Sequence, residues 1–287
     1  MYARAVALLV LPPSLGPAKA EARAEHLATV LSRGLERPIE VVVSASYQEL
    51  QIAIESGEAA IAWTPAAVCA EIATGAARAR VRTAYTIVRN GKSRYRSALL
   101  ARRSAHLRFA HLEGLHAAWV DPLSAGGYLL MAALLRSRGV EPTRAFREQT
   151  FLGSHRAVVE AVLDERADVG AVSVHGLDDE ALANSIRWYV GPPGDRLEAL
   201  SVSASCPNDA LVLTTRAADS LAERFVERFV GVAVTPGAPK SSESGRWSSA
   251  GAALMQALEG ERLETAELVE YAAAFRPERP SRMPLRS

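Results

Sequence analysis

An excess of charge of either sign is missing: 33 Lys and Arg stand against 32 Asp and Glu, a formal net charge of +1. A chain without a broad field has little to offer a phosphate backbone or an anionic lipid surface. Aromatic residues are also scarce, at 6% of 287, which argues against a stacking platform for single strands. We expect no nucleic-acid partner. Cysteine is limited to Cys69 and Cys206, far apart and in no CxxC spacing. That excludes a readable disulfide framework or zinc site and leaves buried free thiols as the expectation. No apolar run reaches the ~18 residues of a membrane-spanning helix, so direct membrane insertion is not expected. GxSxG, Walker A and GxGxxG patterns are absent, which removes the commonest nucleophile and phosphate-loop signatures. His106, His111 and His116 recur every five residues, a spacing that keeps no helical face, so neither a metal nor a cofactor is expected.

What is present is ordinary globular composition, 49% hydrophobic and 23% charged, in a chain long enough for one large domain or two lobes. The first twenty residues admit two readings. Arg4, a short apolar run and Ala-Lys-Ala at 18–20 imitate a secretory signal. The run from Ala5 to Leu11, stopped by Pro12 and Pro13, also reads as a buried strand. We favour the strand, and with it a cytoplasmic protein. A periplasmic protein is the alternative if residues 1–20 act as a signal.

Strand and helix then alternate. Residues 18–35 place Leu27, Val30, Leu31 and Leu35 on one helical face, and 39–45 is a β-branched strand. Residues 46–56 open with Ser46 and Glu49 in capping-box spacing, and 59–63 is a third strand. Further on, strands are expected at 116–122, 147–153 and 167–173, with helices at 126–140 and 154–166. This order predicts parallel sheets. The segments ELQIAIESGEAAIAW and AVVEAVLDERADVGAV share a helix–turn–strand pattern, as two similarly built lobes would. Residues 93–105 and 198–215 are candidate crossings between lobes. Helices are expected over 217–233 and in AALMQALEGE and TAELVEYAAAF, with a mobile loop at 235–249 and a frayed tail.

Four segments, in order, resemble the phosphate/phosphite/phosphonate-binding proteins of ABC transporters, in the type 2 periplasmic-binding-protein superfamily. They are RPIEVVVSASYQELQIAIESGEAAIAWTPAAVCAE, the run from RYRSALLARR to WVDPLSAGGYLL, FLGSHRAVVEAVLDERADVGAVS, and SASCPNDALVLTT. The resemblance implies an α/β fold of two lobes joined by two crossing strands. Lobe 1 would hold residues 1–96 and 204–287, and lobe 2 residues 97–203. It implies a non-catalytic protein that captures a small phosphonate- or phosphate-like anion in the interlobe cleft. The partner would be an ABC permease or a sensor kinase. An enzyme on the same fold, of the menaquinone or thiamine-precursor type, and a degenerate interaction module remain alternatives, because fold does not settle function.

The same resemblance nominates the ligand-binding residues. Tyr47 and Tyr95 would present phenol donors. Trp63 and Thr64 would supply a wall and a hydroxyl at a strand end. Ser124, Ala125 and Gly126 begin a helix, whose first amides are unpaired and favour an anion. Relatives tend to carry three hydroxyl residues there, and Ala125 and Gly126 remove two. Ser154 and His155 begin a further helix, and Ser173 ends a strand. Aminophosphonate-binding relatives carry an acid in this last region. Ser173 stands where we place it, which argues against an amine-bearing ligand.

Overall fold

The computed structural model describes residues 6–13, 17–89, 91–175, 179–230, 249–258, 260 and 262–275. Of the expected loop at 235–249, residues 235–248 lie outside the described residues, as does the frayed tail at 276–287, while Ser249 begins a helix, Ser249–Ala257.

Two six-stranded sheets organise the chain, in a mixed α/β architecture of two lobes. The first contains β1 (Ala7–Leu11), β2 (Ile39–Val43), β3 (Ile61–Thr64), β4 (Val81–Val88), β11 (Ala210–Thr214) and β12 (Arg262–Thr265). Their order is β12-β4-β11-β3-β1-β2. β1 lies parallel between β2 and β3, while β11 runs antiparallel to both β3 and β4. The first apolar run is therefore an interior strand, alternating as one should. Leu9 and Leu11 join the core under α1 (Pro17–Leu35), with Leu27, Leu31 and Phe225, while Val10 joins the opposite core. That second core carries α2 (Tyr47–Glu55), α3 (Ala66–Thr74) and α10 (Leu268–Ala274).

The second sheet contains β5 (Arg94–Arg102), β6 (His116–Trp119), β7 (Glu148–Phe151), β8 (Val169–Val174), β9 (Leu197–Val202) and β10 (Cys206–Pro207). The order is β10-β5-β8-β6-β7, with β9 also paired to β5. β6, β7 and β8 are parallel, and β5 is antiparallel to β8. On β5, Ala98 and Leu100 face the core beneath α6 (His155–Leu163) and α7 (Asp179–Val190). Leu99 and Ala101 face α4 (Leu130–Ser137). Strand alternation thus covers both faces of each sheet, as parallel strands require.

The helix expected over 126–140 begins instead as a π-type turn, Ala125–Leu129, before α4. Two close approaches account for it. A Cβ on Gly127 would lie 2.2 Å from Val120 Cγ2, and one on Gly126 2.7 Å from Ser173 Cβ. Glycine lets the turn press against both strand ends.

The chain crosses between sheets twice: from β4 to β5 through the bridge joining Arg89 and Lys92, and from β10 back to β11. The expected return crossing at 198–215 is three short strands rather than one. Asn208 binds the crossings together. Its Nδ2 donates to the carbonyls of Ile87 (2.8 Å) and Lys92 (2.9 Å), and its own carbonyl accepts the Tyr271 hydroxyl (2.8 Å). Asn208 is fully buried. Asn208→Asp would put a carboxylate against two carbonyls, at a cost of about 2–4 kcal/mol. A urea titration at neutral pH should show that loss; an unchanged midpoint would remove Asn208 from this role.

Candidate ligand-binding site

Each lobe contributes one copy of the same local device. α2 starts at Ser46, whose hydroxyl accepts the Glu49 N–H, with the Glu49 carboxylate returning to the Ala45 N–H. α6 starts at Ser154, whose hydroxyl accepts the Ala157 N–H. These N-caps fix where each helix begins. The first helical residues are Tyr47 in one lobe and His155 in the other. Both line an inner pocket of about 70 Å³, several times the ~10–15 Å³ one water needs. Tyr95, Ser124, Ala125, Gly126 and Ser173 share its wall. The β3 and β8 ends stand in the same mutual relation, delivering Pro65 from one lobe and Ser173 with His175 from the other.

The donors are set by second contacts. Ser124 Oγ accepts the Gly127 N–H (3.1 Å), which leaves its O–H to donate. The amides of Ala125 and Gly126, at the first two positions of the turn, have no acceptor within it. Ser97 Oγ donates to the Gly126 carbonyl (2.7 Å) and holds the turn in place. His155 Nδ1 accepts the Ser173 N–H (3.3 Å), so its Nε2 carries the proton. Burial pushes the Tyr95 phenol well above its ordinary pKa, keeping it a neutral donor.

Charge enters from the first lobe. Arg89, at the end of β4, and Asp209, just before β11, line the inner pocket and also an outer chamber continuous with it. Asp209 Oδ2 accepts the Trp63 indole N–H at 3.0 Å. Arg89 lies over the Trp63 ring at 5.7 Å, and Arg23 at 5.2 Å. Burial raises the Asp209 pKa, opposed by Arg89, the Trp63 hydrogen bond and Arg23.

The sequence matches, over residues 9–270, the family described as the ABC transporter phosphonate periplasmic substrate-binding protein. The chain belongs to this family.

Solved structures agree at the level of fold. A binding-protein component of an ABC phosphonate transporter from Pseudomonas aeruginosa superposes with a TM-score of 0.72 at 17% identity, covering 91% of this chain and 81% of that one. PhnD1 from Prochlorococcus marinus, solved with methylphosphonate, gives 0.71 at 15%, covering 93% and 95%. XAC2383 from Xanthomonas citri, solved with ATP, gives 0.69 at 16%, covering 95% and 97%. None of the curated proteins compared matches the chain in sequence. As a member of the phosphonate-binding family the chain is a substrate-binding protein, a role that does not favour the enzyme and interaction-module alternatives. A small-molecule ligand and an ABC permease go with that membership. The family is described as periplasmic, which fits the periplasmic alternative and not the cytoplasmic expectation, although the condition attached to that alternative, residues 1–20 acting as a signal, meets β1 at Ala7–Leu11. Among the described residues, no helix is long and apolar enough to cross a membrane.

Within this phosphonate-binding fold, the expected residues fall into two groups. Tyr47, Tyr95, Ser124, Ala125, Gly126, His155 and Ser173 line the inner pocket, and Trp63 lines the outer chamber. Thr64 and Ser154 line neither. Thr64 is fully buried and its hydroxyl donates to the Ala62 carbonyl (3.3 Å), while the Ser154 hydroxyl serves as the α6 cap. At the β8 end Ser173 stands where relatives carry an acid, its Oγ engaged with the Tyr189 hydroxyl (2.7 Å). A carboxylate enters the cleft from elsewhere, as Asp209 on the first lobe. Arg89, Lys92, Asp209 and α7, with Trp188 and Tyr189, were not nominated from sequence. The Pro-Asn-Asp motif carried Asp209 openly; Arg89 ends a strand, VRTAYTIV, whose β-branched composition was legible.

The two cleft histidines are held neutral. Burial, then His175, pushes His155 down to about 4; burial, then Arg89 and Lys92, pushes His175 to about 4. Their rings pack on tyrosines, His155 stacked on Tyr189 and His175 tilted to Tyr95. Both pKa values lie below the ordinary 6.5, so between 6.5 and 4 the unfolded chain binds protons that the folded chain refuses. Stability is complete above 6.5 and falls with pH through that window, by at most about 3 kcal/mol per histidine. Urea melts from pH 7.5 to 4 should show the slope, and His155→Gln with His175→Gln should flatten it.

Proposed function

We propose that the inner pocket receives a phosphonate- or phosphate-type head group, and that the protein delivers this ligand to an ABC permease. The observation that carries the reading is the convergence of donors from both lobes on one small space. Tyr47 and Tyr95 bring hydroxyls to its wall, that of Tyr95 also bonded to Cys206, Ser124 offers O–H, and the Ala125 and Gly126 amides stand at the start of the turn. His155 offers Nε2–H, and Arg89 supplies the charge. A tetrahedral oxyanion can accept all of these at once. Asp209 beside Arg89 makes the pocket mixed rather than uniformly positive, and gives an ammonium-bearing ligand a counter-ion.

Titration calorimetry with methylphosphonate and with inorganic phosphate tests the reading. One of the two should bind, and Arg89→Ala should weaken that binding at least tenfold, since a charged hydrogen bond contributes ~1.5–3 kcal/mol. A ligand at 100 times its dissociation constant should raise stability by ~2.7 kcal/mol. Neither heat nor thermal shift with either anion would defeat the proposal.

A further inference from the structure

The inner pocket accounts for only a small part of the empty space between the lobes. Next to it, and sharing Arg89, His155, Ser173, His175 and Asp209 as a common wall, lies a chamber of about 750 Å³. On the inner side the lobes already touch: Ala125 and Leu130 of the second lobe belong to the same apolar core as Tyr47, Ala66 and Leu268 of the first, and α3 packs on the π-type turn. The chamber persists beside a shut seam. A bare tetrahedral head with one methyl group would occupy the inner pocket and leave the chamber to water.

The chamber wall has a definite chemistry. The second lobe presents Trp188 from α7, 46% exposed and edge-on to Tyr189 at 5.0 Å, with Asn184 and Ser185 one turn away. A half-exposed indole in the chamber wall suits an apolar, planar group, for which aromatic contacts have a strong geometric preference. The first lobe presents Arg23 and Lys92 as well as Arg89. Trp63 is not available for stacking in the same way, being buried with guanidinium groups laid over its ring. One wall therefore favours a ring and the other favours acceptor atoms.

We infer that the physiological ligand is a phosphonate or phosphate ester with a planar organic body: the head group sits in the inner pocket and the body lies in the outer chamber against Trp188. This rests on the head-group reading above and adds the class of substrate to it.

The two claims separate in one experiment. The full chain is titrated with methylphosphonate and with phenylphosphonate, which share a head group and differ in the body. Phenylphosphonate should bind at least tenfold more tightly. Trp188→Ala should shrink the ratio to less than threefold, and Trp188→Phe, which keeps a ring, should retain most of it. Trp188 lies at the surface of α7, and thermal melts of both variants establish that they fold. A ratio below tenfold in the unaltered chain, or a ratio that survives Trp188→Ala, overturns the inference and leaves the head-group reading standing. Binding of neither compound overturns the inference, and overturns the head-group reading as well where inorganic phosphate also fails to bind.

Discussion

A chain that begins at Glu21 should not fold. The segment that imitates a secretory signal holds the strand on which the first sheet depends. β1 pairs in parallel with β2 from Ala7 opposite Ile39 to Leu11 opposite Val43, and with β3 at Leu9 and Val10. Without it β2 has no neighbour, because among the described residues no other strand pairs with β2. The truncation would expose backbone groups of β3 and strip Leu9, Val10 and Leu11 from two cores at once. Burying a side chain of that size contributes ~1.5–3 kcal/mol, so the three together approach the whole net stability of a domain, ~5–15 kcal/mol. Circular dichroism should show no cooperative melt, and the truncated chain should aggregate. A truncated chain that melts as sharply as the full one would mean that β1 is dispensable, and would revive the signal reading of residues 1–20.

The same strand shows what was legible in the sequence. Ala5–Leu11 is apolar, short and stopped by two prolines, and those local facts suffice to make it a strand. The caps were equally local. Ser46 with Glu49 names its helix start without any knowledge of the fold, and the helix–turn–strand repeat shows in pattern alone. Corresponding positions of that repeat, Tyr47 and His155, line one pocket from opposite lobes. What was not legible is non-local. Arg89 and Asp209 are 120 positions apart, and they meet only because β11 inserts between β3 and β4 and runs antiparallel to both. No spacing in the chain announces that. α7 was missed for a different reason: it buries Ile186 and Tyr189 but leaves Trp188 and Arg187 exposed, so its apolar stripe is narrow. That helix contributes Asn184, Ser185, Trp188 and Tyr189 to the outer chamber.

Gly126→Ser should weaken ligand binding, although composition alone argues the reverse. The family resemblance treats positions 124–126 as a run of hydroxyls, so a serine at 126 would restore a donor and add ~1.5–3 kcal/mol to the binding of an anion. Sterics oppose this. A Cβ at 126 would sit 2.7 Å from Ser173 Cβ, 3.0 Å from Ser173 Cα and 3.0 Å from Tyr95 Cε2. The Tyr95 ring edge might be thought free to swing, but Tyr95 is buried, and the Ser173 Cα is backbone. Ser173 is registered opposite Ser97 in the sheet and donates its N–H to His155 Nδ1. Relief must therefore move β8, the His155 ring or the turn itself. Overpacking of this kind costs about 1–3 kcal/mol in stability. The displaced groups are the ones that line the inner pocket, so affinity for methylphosphonate or phosphate should fall at least tenfold together with the melting temperature. The two arguments differ in sign, and a calorimetric titration of the variant decides between them. Tighter binding with an unchanged melt would show that the turn stands farther from β8 than this packing allows. Gly126 would then be a hydroxyl lost rather than a space required.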